Sequence, residues 1–97
     1  MTKPGATKAL HLSIRGRVQG VFYRAWMREQ AARLGLRGWV RNRRDGTVEA
    51  VVAGSPDAVE RMIILCHEGP PHAHVEAVEV APALAPDSPM FDVRPTA

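Results

Sequence analysis

Apolar and polar positions alternate from Leu10: Leu10, Leu12 and Ile14 fall on one side, His11, Ser13 and Arg15 on the other. That period of two predicts a half-buried strand. It stops at Gly16-Arg17-Val18-Gln19-Gly20, where two glycines bracket a tight loop. A helical period follows, with Tyr23, Met27, Ala31 and Leu34 at steps of four, four and three and with Phe22 and Trp26 alongside. This helix is expected to begin at about Val21 and to stop at Gly35. Leu36 to Asn42 and Thr47 to Ala53 then read as two strands joined by Asp45-Gly46, the signature of a hairpin. Ser55 is a natural N-cap, Pro56 suits the first helical position, and Asp57 complements the helix N-terminus. Val59, Met62, Ile63 and Cys66 give that second helix an apolar stripe, and Gly69-Pro70-Pro71 ends it.

Val75 to Val80 is strand-like, but Val75 and Val78 differ in parity, which predicts a bulge or a late strand start. After a proline-studded loop, Phe91 and Val93 mark a short last strand. The order βαββαβ plus a terminal β predicts an α+β, ferredoxin-like sandwich. Its sheet is mainly antiparallel, with two helices on one face. Residues 1–7 are expected to form a flexible tail and residues 8–97 a single domain. Ninety-seven residues suffice for one core, since a chain of this mass buries about 64% of its extended surface.

Composition adds exclusions. No apolar stretch approaches the ~20 residues of a membrane span, so no membrane partner is expected. The first ten residues lack the apolar run of a secretory signal. The single cysteine, Cys66, excludes an internal disulfide and any multi-cysteine zinc site, and a cytoplasmic location is the default expectation.

Charge changes the picture more. The net charge of +3 conceals nine arginines between residues 15 and 45, opposed there only by Glu29 and Asp45. Residues 46–97 are acidic. Arginine offers a planar fork of donors suited to phosphate or carboxylate, so an anionic partner is expected. A merely solvated basic face is the other reading.

The loop at 16–20 is the candidate site. Convergent backbone N–H groups, a helix N-terminus and Arg24 one turn further on would cradle a phosphoryl group. Read alone, the two glycines describe a turn as well as a cradle, and the nucleotide-binding patterns G-x-x-x-x-G-K-[ST] and G-x-G-x-x-G are absent.

Taken together, Ile14-Arg15-Gly16-Arg17-Val18-Gln19-Gly20-Val21-Phe22-Tyr23-Arg24 resembles the first motif of the acylphosphatases, G-x-V-Q-G-V followed by an aromatic residue and arginine. Gly38-Trp39-Val40-Arg41-Asn42, followed by Gly46-Thr47-Val48 and then Gly54, resembles the second. The resemblance runs over essentially the whole chain; only the loop from Pro82 to Pro89 looks individual. It implies an enzyme that hydrolyses the carboxyl-phosphate bond of acyl phosphates with neither metal nor cofactor. It further implies that the backbone of Arg17, Val18, Gln19, Gly20 and Val21 binds the substrate phosphate, that Arg24 grips its oxygens, and that Asn42 holds the attacking water. Inorganic phosphate or sulfate would then be site ligands, and a monomer is the default.

Other residues point less sharply. His72 and His74 could share a strand face, but no third metal ligand lies nearby in sequence. His11 and His67 suggest nothing specific. Cys66 sits on an apolar stripe and reads as core, and Trp26 and Trp39 read as packing residues. Gln19 is expected to shape the loop, and the remaining arginines to form a steering field. An RNA-reading sandwich would need a string of exposed strand aromatics; with five aromatics in the chain and no such string, nucleic acid is not an expected partner.

Overall fold

The computed structural model describes residues 7–97. Seven elements follow one another: β1 (Lys8–Arg17), α1 (Tyr23–Arg33), β2 (Arg37–Asn42), β3 (Val48–Gly54), α2 (Pro56–Glu68), β4 (His74–Pro82) and β5 (Phe91–Val93). Six of the seven residues of the expected tail lie outside the described residues. The last, Thr7, is exposed and precedes β1 directly.

The five strands form one sheet in the order β4-β1-β3-β2-β5. β1 is central enough to pair antiparallel with both β3 and β4, and β2 pairs antiparallel with β3. The last strand differs, running parallel to β2 with Val40 opposite Val93. The whole is the α+β, ferredoxin-like arrangement. Alternation in β1 works as the pattern predicts, because Leu12 and Ile14 are fully buried while His11 and Ser13 face the other way. Leu12, Ile14, Val40, Val48, Ala50 and Val52 meet Tyr23, Met27 and Ala31 of α1 and Val59, Met62 and Cys66 of α2 in one apolar cluster. Truncating a buried methionine such as Met27 to alanine would cost about 2–5 kcal/mol, from lost burial and the cavity left behind.

The parity change in β4 is a bulge. Arg15 lies opposite Ala77 and Gly16 opposite Val75, so Glu76 has no partner of its own. Gly16 is required there: its φ is +128°, and a Cβ would stand 2.2 Å from the His74 carbonyl oxygen.

α2 begins as its sequence dictates, with the Ser55 Oγ accepting a hydrogen bond from the Ala58 N–H and Pro56 in the first turn. α1 does not. It starts at Tyr23, two residues later than its period suggests, because Gly20 and Phe22 both take left-handed backbone angles and prolong the loop. Phe22 is consequently turned away from the apolar stripe and is 81% exposed. Trp26 stays beside the core, packed edge-on to Tyr23 at 5.3 Å between ring centroids. No helix among the described residues is long and apolar enough to cross a membrane.

Candidate active site

The loop between β1 and α1 opens into a cavity of about 500 Å³. Val18, Gly20, Arg24 and Asn42 line it, joined by Phe22, Arg28 and Val93. Gly20 has a φ of +75° with open space where a Cβ would be, so glycine is chosen for backbone angle and for access. Among the described residues, the N–H groups of residues 19–22 have no backbone acceptor. The first turn of α1 has neither a capping side chain nor an acid, and among the described residues its leading N–H groups have no backbone acceptor. This clustering of N–H donors at a helix start favours an anion.

Arg24 follows a rigid anchor. The Tyr23 hydroxyl, buried in the core, donates a 2.6 Å hydrogen bond to the Cys66 carbonyl. Burial, then the neighbouring Cys66, push the tyrosine's pKa far up, so it remains a neutral donor. With Tyr23 fixed inward, the next residue is directed to the cavity wall. Arg28 joins it one turn later, as the spacing of four requires. Neither guanidinium has a carboxylate partner among the described residues.

Asn42 closes the opposite side. It is the last residue of β2, opposite Val48, and the helix-facing parity of Val40 carries over to it. Its backbone carbonyl accepts from the Ala97 N–H at 3.0 Å, while its side-chain amide has no partner among the described residues. The turn beyond is held by Asp45, whose carboxylate accepts from the Thr47 N–H and hydroxyl at 2.9 and 2.7 Å. Those bonds, led by the hydroxyl's, hold its carboxyl below the ordinary range.

Of the remaining expected site residues, Arg17 and Val21 do not line the cavity. Arg17 is exposed at the end of β1, and Val21 leans on the core. Gln19 also points elsewhere. Its side-chain N–H₂ donates to the carbonyls of Arg43 and Thr47 at 2.7 and 2.9 Å, tying the loop to the β2–β3 turn.

The sequence reading missed Phe22, Arg28 and Val93. Arg28 had a signal, its helical spacing from Arg24; the other two had none. His72 and His74 are exposed, and among the described residues no three His, Cys, Asp or Glu side chains are grouped to hold a metal. Cys66 is fully buried, and burial pushes its thiol up to about 12 despite the opposing hydrogen bond from Tyr23. It is core. Trp39 lies on the sheet face away from the helices, beneath the guanidiniums of Arg41 and Arg94 at 4.8 and 4.7 Å. It packs, but against arginines.

Two cations, N–H groups without a backbone acceptor among the described residues and a neutral amide thus surround one cavity of a small α+β protein. The sequence model of the acylphosphatase family matches residues 10–93. An acylphosphatase of Azoarcus sp. is 56% identical over 97 residues, and one of Acidovorax sp. is 54% identical over 96; each alignment covers 99% of both chains. The structure of an acylphosphatase from Coxiella burnetii superposes with a TM-score of 0.87 at 38% identity, over 91% of this chain and 93% of that one. The chain belongs to the acylphosphatase family. It is an enzyme, and hydrolysis of acyl phosphates is the reaction its family and fold support.

Proposed function

We propose that this enzyme cleaves acyl phosphates by in-line attack of a water that Asn42 positions on a phosphoryl group held by Arg24 and the backbone of residues 17–21. One observation carries the reading: Asn42, Arg24 and Gly20, from separate elements, line the same cavity. An acyl phosphate has a good leaving group, so the enzyme's task is charge neutralisation and placement of the nucleophile. The Arg24 guanidinium can give two parallel hydrogen bonds to phosphoryl oxygens. The loop N–H groups add fixed partial charge that needs no reorganisation as the bond breaks.

Asn42 has no useful pKa and is not a general base. Its Oδ1 accepts from the water while its Nδ2–H₂ donates to a phosphoryl oxygen, and the pair of bonds sets the line of attack. The water's proton passes to the substrate's own phosphate. The carboxylate then leaves as the P–O bond opens, through a loose transition state. Neutralisation comes entirely from protein groups in this scheme, with no step that calls for a metal.

Steady-state hydrolysis of benzoyl phosphate in the presence of EDTA tests the reading, and activity is expected to survive chelation. Asn42→Asp separates water placement from basicity. A carboxylate there could take a proton but would repel the phosphoryl group, so turnover at neutral pH should fall about 10²-fold or more. A fully active Asn42→Asp enzyme would overturn the mechanism.

A further inference from the structure

Phe22 combines features that seldom occur together. Its backbone is left-handed (φ 63°, ψ 26°), a region a bulky aromatic residue rarely enters. Its side chain is 81% exposed, so no burial in the fold compensates. It nonetheless stands on the wall of the cavity that holds Arg24 and Asn42. Strain at a ligand site, with no gain inside the folded chain, is a pointer to function.

A second residue on that wall shares the anomaly. Val93, at the end of β5, is also an exposed apolar side chain. The other exposed large apolar residues, Ile64, Val80, Leu84 and Met90, lie off this cavity. Parallel pairing with Val40 places Val93 on the helix-facing side, two register positions before Asn42. The cavity therefore has a cationic, N–H-rich interior and an apolar rim contributed by two distant parts of the chain.

We infer that Phe22 and Val93 recognise the acyl portion of the substrate and that the enzyme prefers acyl phosphates with an aromatic or branched apolar acyl group over acetyl phosphate. This rests on the reading of the cavity as an acyl phosphate site. Such a substrate has the matching polarity, with an anionic phosphoryl group at one end and a hydrocarbon at the other. With the phosphoryl group against Gly20 and Arg24, the acyl group is left at the rim, where it covers the phenyl ring. Contacts made away from the reacting atoms then orient the carboxyl-phosphate bond for attack.

The test compares kcat/KM for benzoyl phosphate and acetyl phosphate in the wild type, Phe22→Gly, Phe22→Tyr and Val93→Ser. Glycine is at ease with a positive φ, so Phe22→Gly is expected to melt no lower than the wild type and to report the ring alone. Its preference for benzoyl over acetyl phosphate should fall about fivefold, the scale of one lost aromatic contact, with inhibition by inorganic phosphate moving less than about twofold. Phe22→Tyr should retain the preference, and Val93→Ser should lower it independently. An equal loss for both substrates, or an unchanged ratio in both Phe22→Gly and Val93→Ser, would overturn the inference while leaving the hydrolytic reading intact. A wild type that hydrolyses neither compound would instead remove the reading on which it stands.

Discussion

Arg24 and Arg28 on α1 and Arg41 and Arg43 around the end of β2 belong to the same basic stretch of sequence, yet they meet opposite surroundings. On the outer face of the sheet, Glu49 collects the Arg41 Nε at 2.6 Å, the Arg43 Nη1 at 3.3 Å and the His11 Nε2 at 2.7 Å. Burial acts to raise the Glu49 pKa, but those three partners outweigh it and hold the carboxyl below its ordinary 4.5. Arg15 likewise meets Glu79 at 3.2 Å. Among the described residues, no acid lines the cavity to do the same. Arginines whose charge is already answered brace strands, whereas arginines left beside open N–H groups are available to a ligand. The steering field expected from the remaining arginines is thus narrower, since Arg15, Arg41 and Arg43 have acidic partners.

Removing a cavity arginine should hurt most. Arg24→Ala is expected to lower kcat/KM about 10²–10³-fold, comparable with loss of a preorganised donor, and to weaken inhibition by inorganic phosphate. If Arg41→Ala, measured alongside, cost as much, the distinction between the two groups would collapse. Arg28→Ala should come next, with about a tenfold weaker phosphate inhibition constant, because a second cation contributes long-range attraction more than a fixed grip. That contribution should shrink as ionic strength rises from 0.01 to about 0.15 M, over which the Debye length falls from about 30 to about 8 Å.

The smallest effect belongs to the outer face and concerns stability. A carboxyl with a depressed folded-state pKa stabilises the protein above its unfolded value and loses that contribution as pH falls through the folded one. Glu49→Gln should therefore destabilise by about 1–2 kcal/mol at pH 7, the scale of a partly buried charged hydrogen-bond group. The gap from the wild type should narrow in urea titrations as the pH is taken below 4.5. A gap that widened on acidification would mean that Glu49 is not held ionised by its neighbours.

Much of this architecture is legible in the chain because its signals are local. Leu12 and Ile14 alternate, Ser55-Pro56-Asp57 starts a helix, Asp45-Gly46 makes a turn, and the parity change after Val75 does mark a bulge. Arg24 and Asn42 were marked by their motifs, and both reach the cavity wall. What stayed hidden depends on contacts across the sheet. Nothing near Arg41 in sequence reveals that Glu49 will neutralise it, and nothing near Val93 reveals parallel pairing with β2. Phe22 was misplaced for a different reason. Its apolar character fits the helical stripe, and only the left-handed backbone at the end of the loop turns it outward.

The strand order also bears on when the protein can become active. Pairing Leu12 with Ala50 joins residues far apart in sequence, and pairing Leu12 with Val80 spans more still. Closing such long loops costs chain entropy before any contact repays it, which places folds of this connectivity among the slower small domains. The cavity draws on Gly20, Arg24, Asn42 and Val93, so it is complete only when the sheet has closed from β1 across to β5. A newly made chain therefore completes this cavity only once β2 and β5 have joined the sheet.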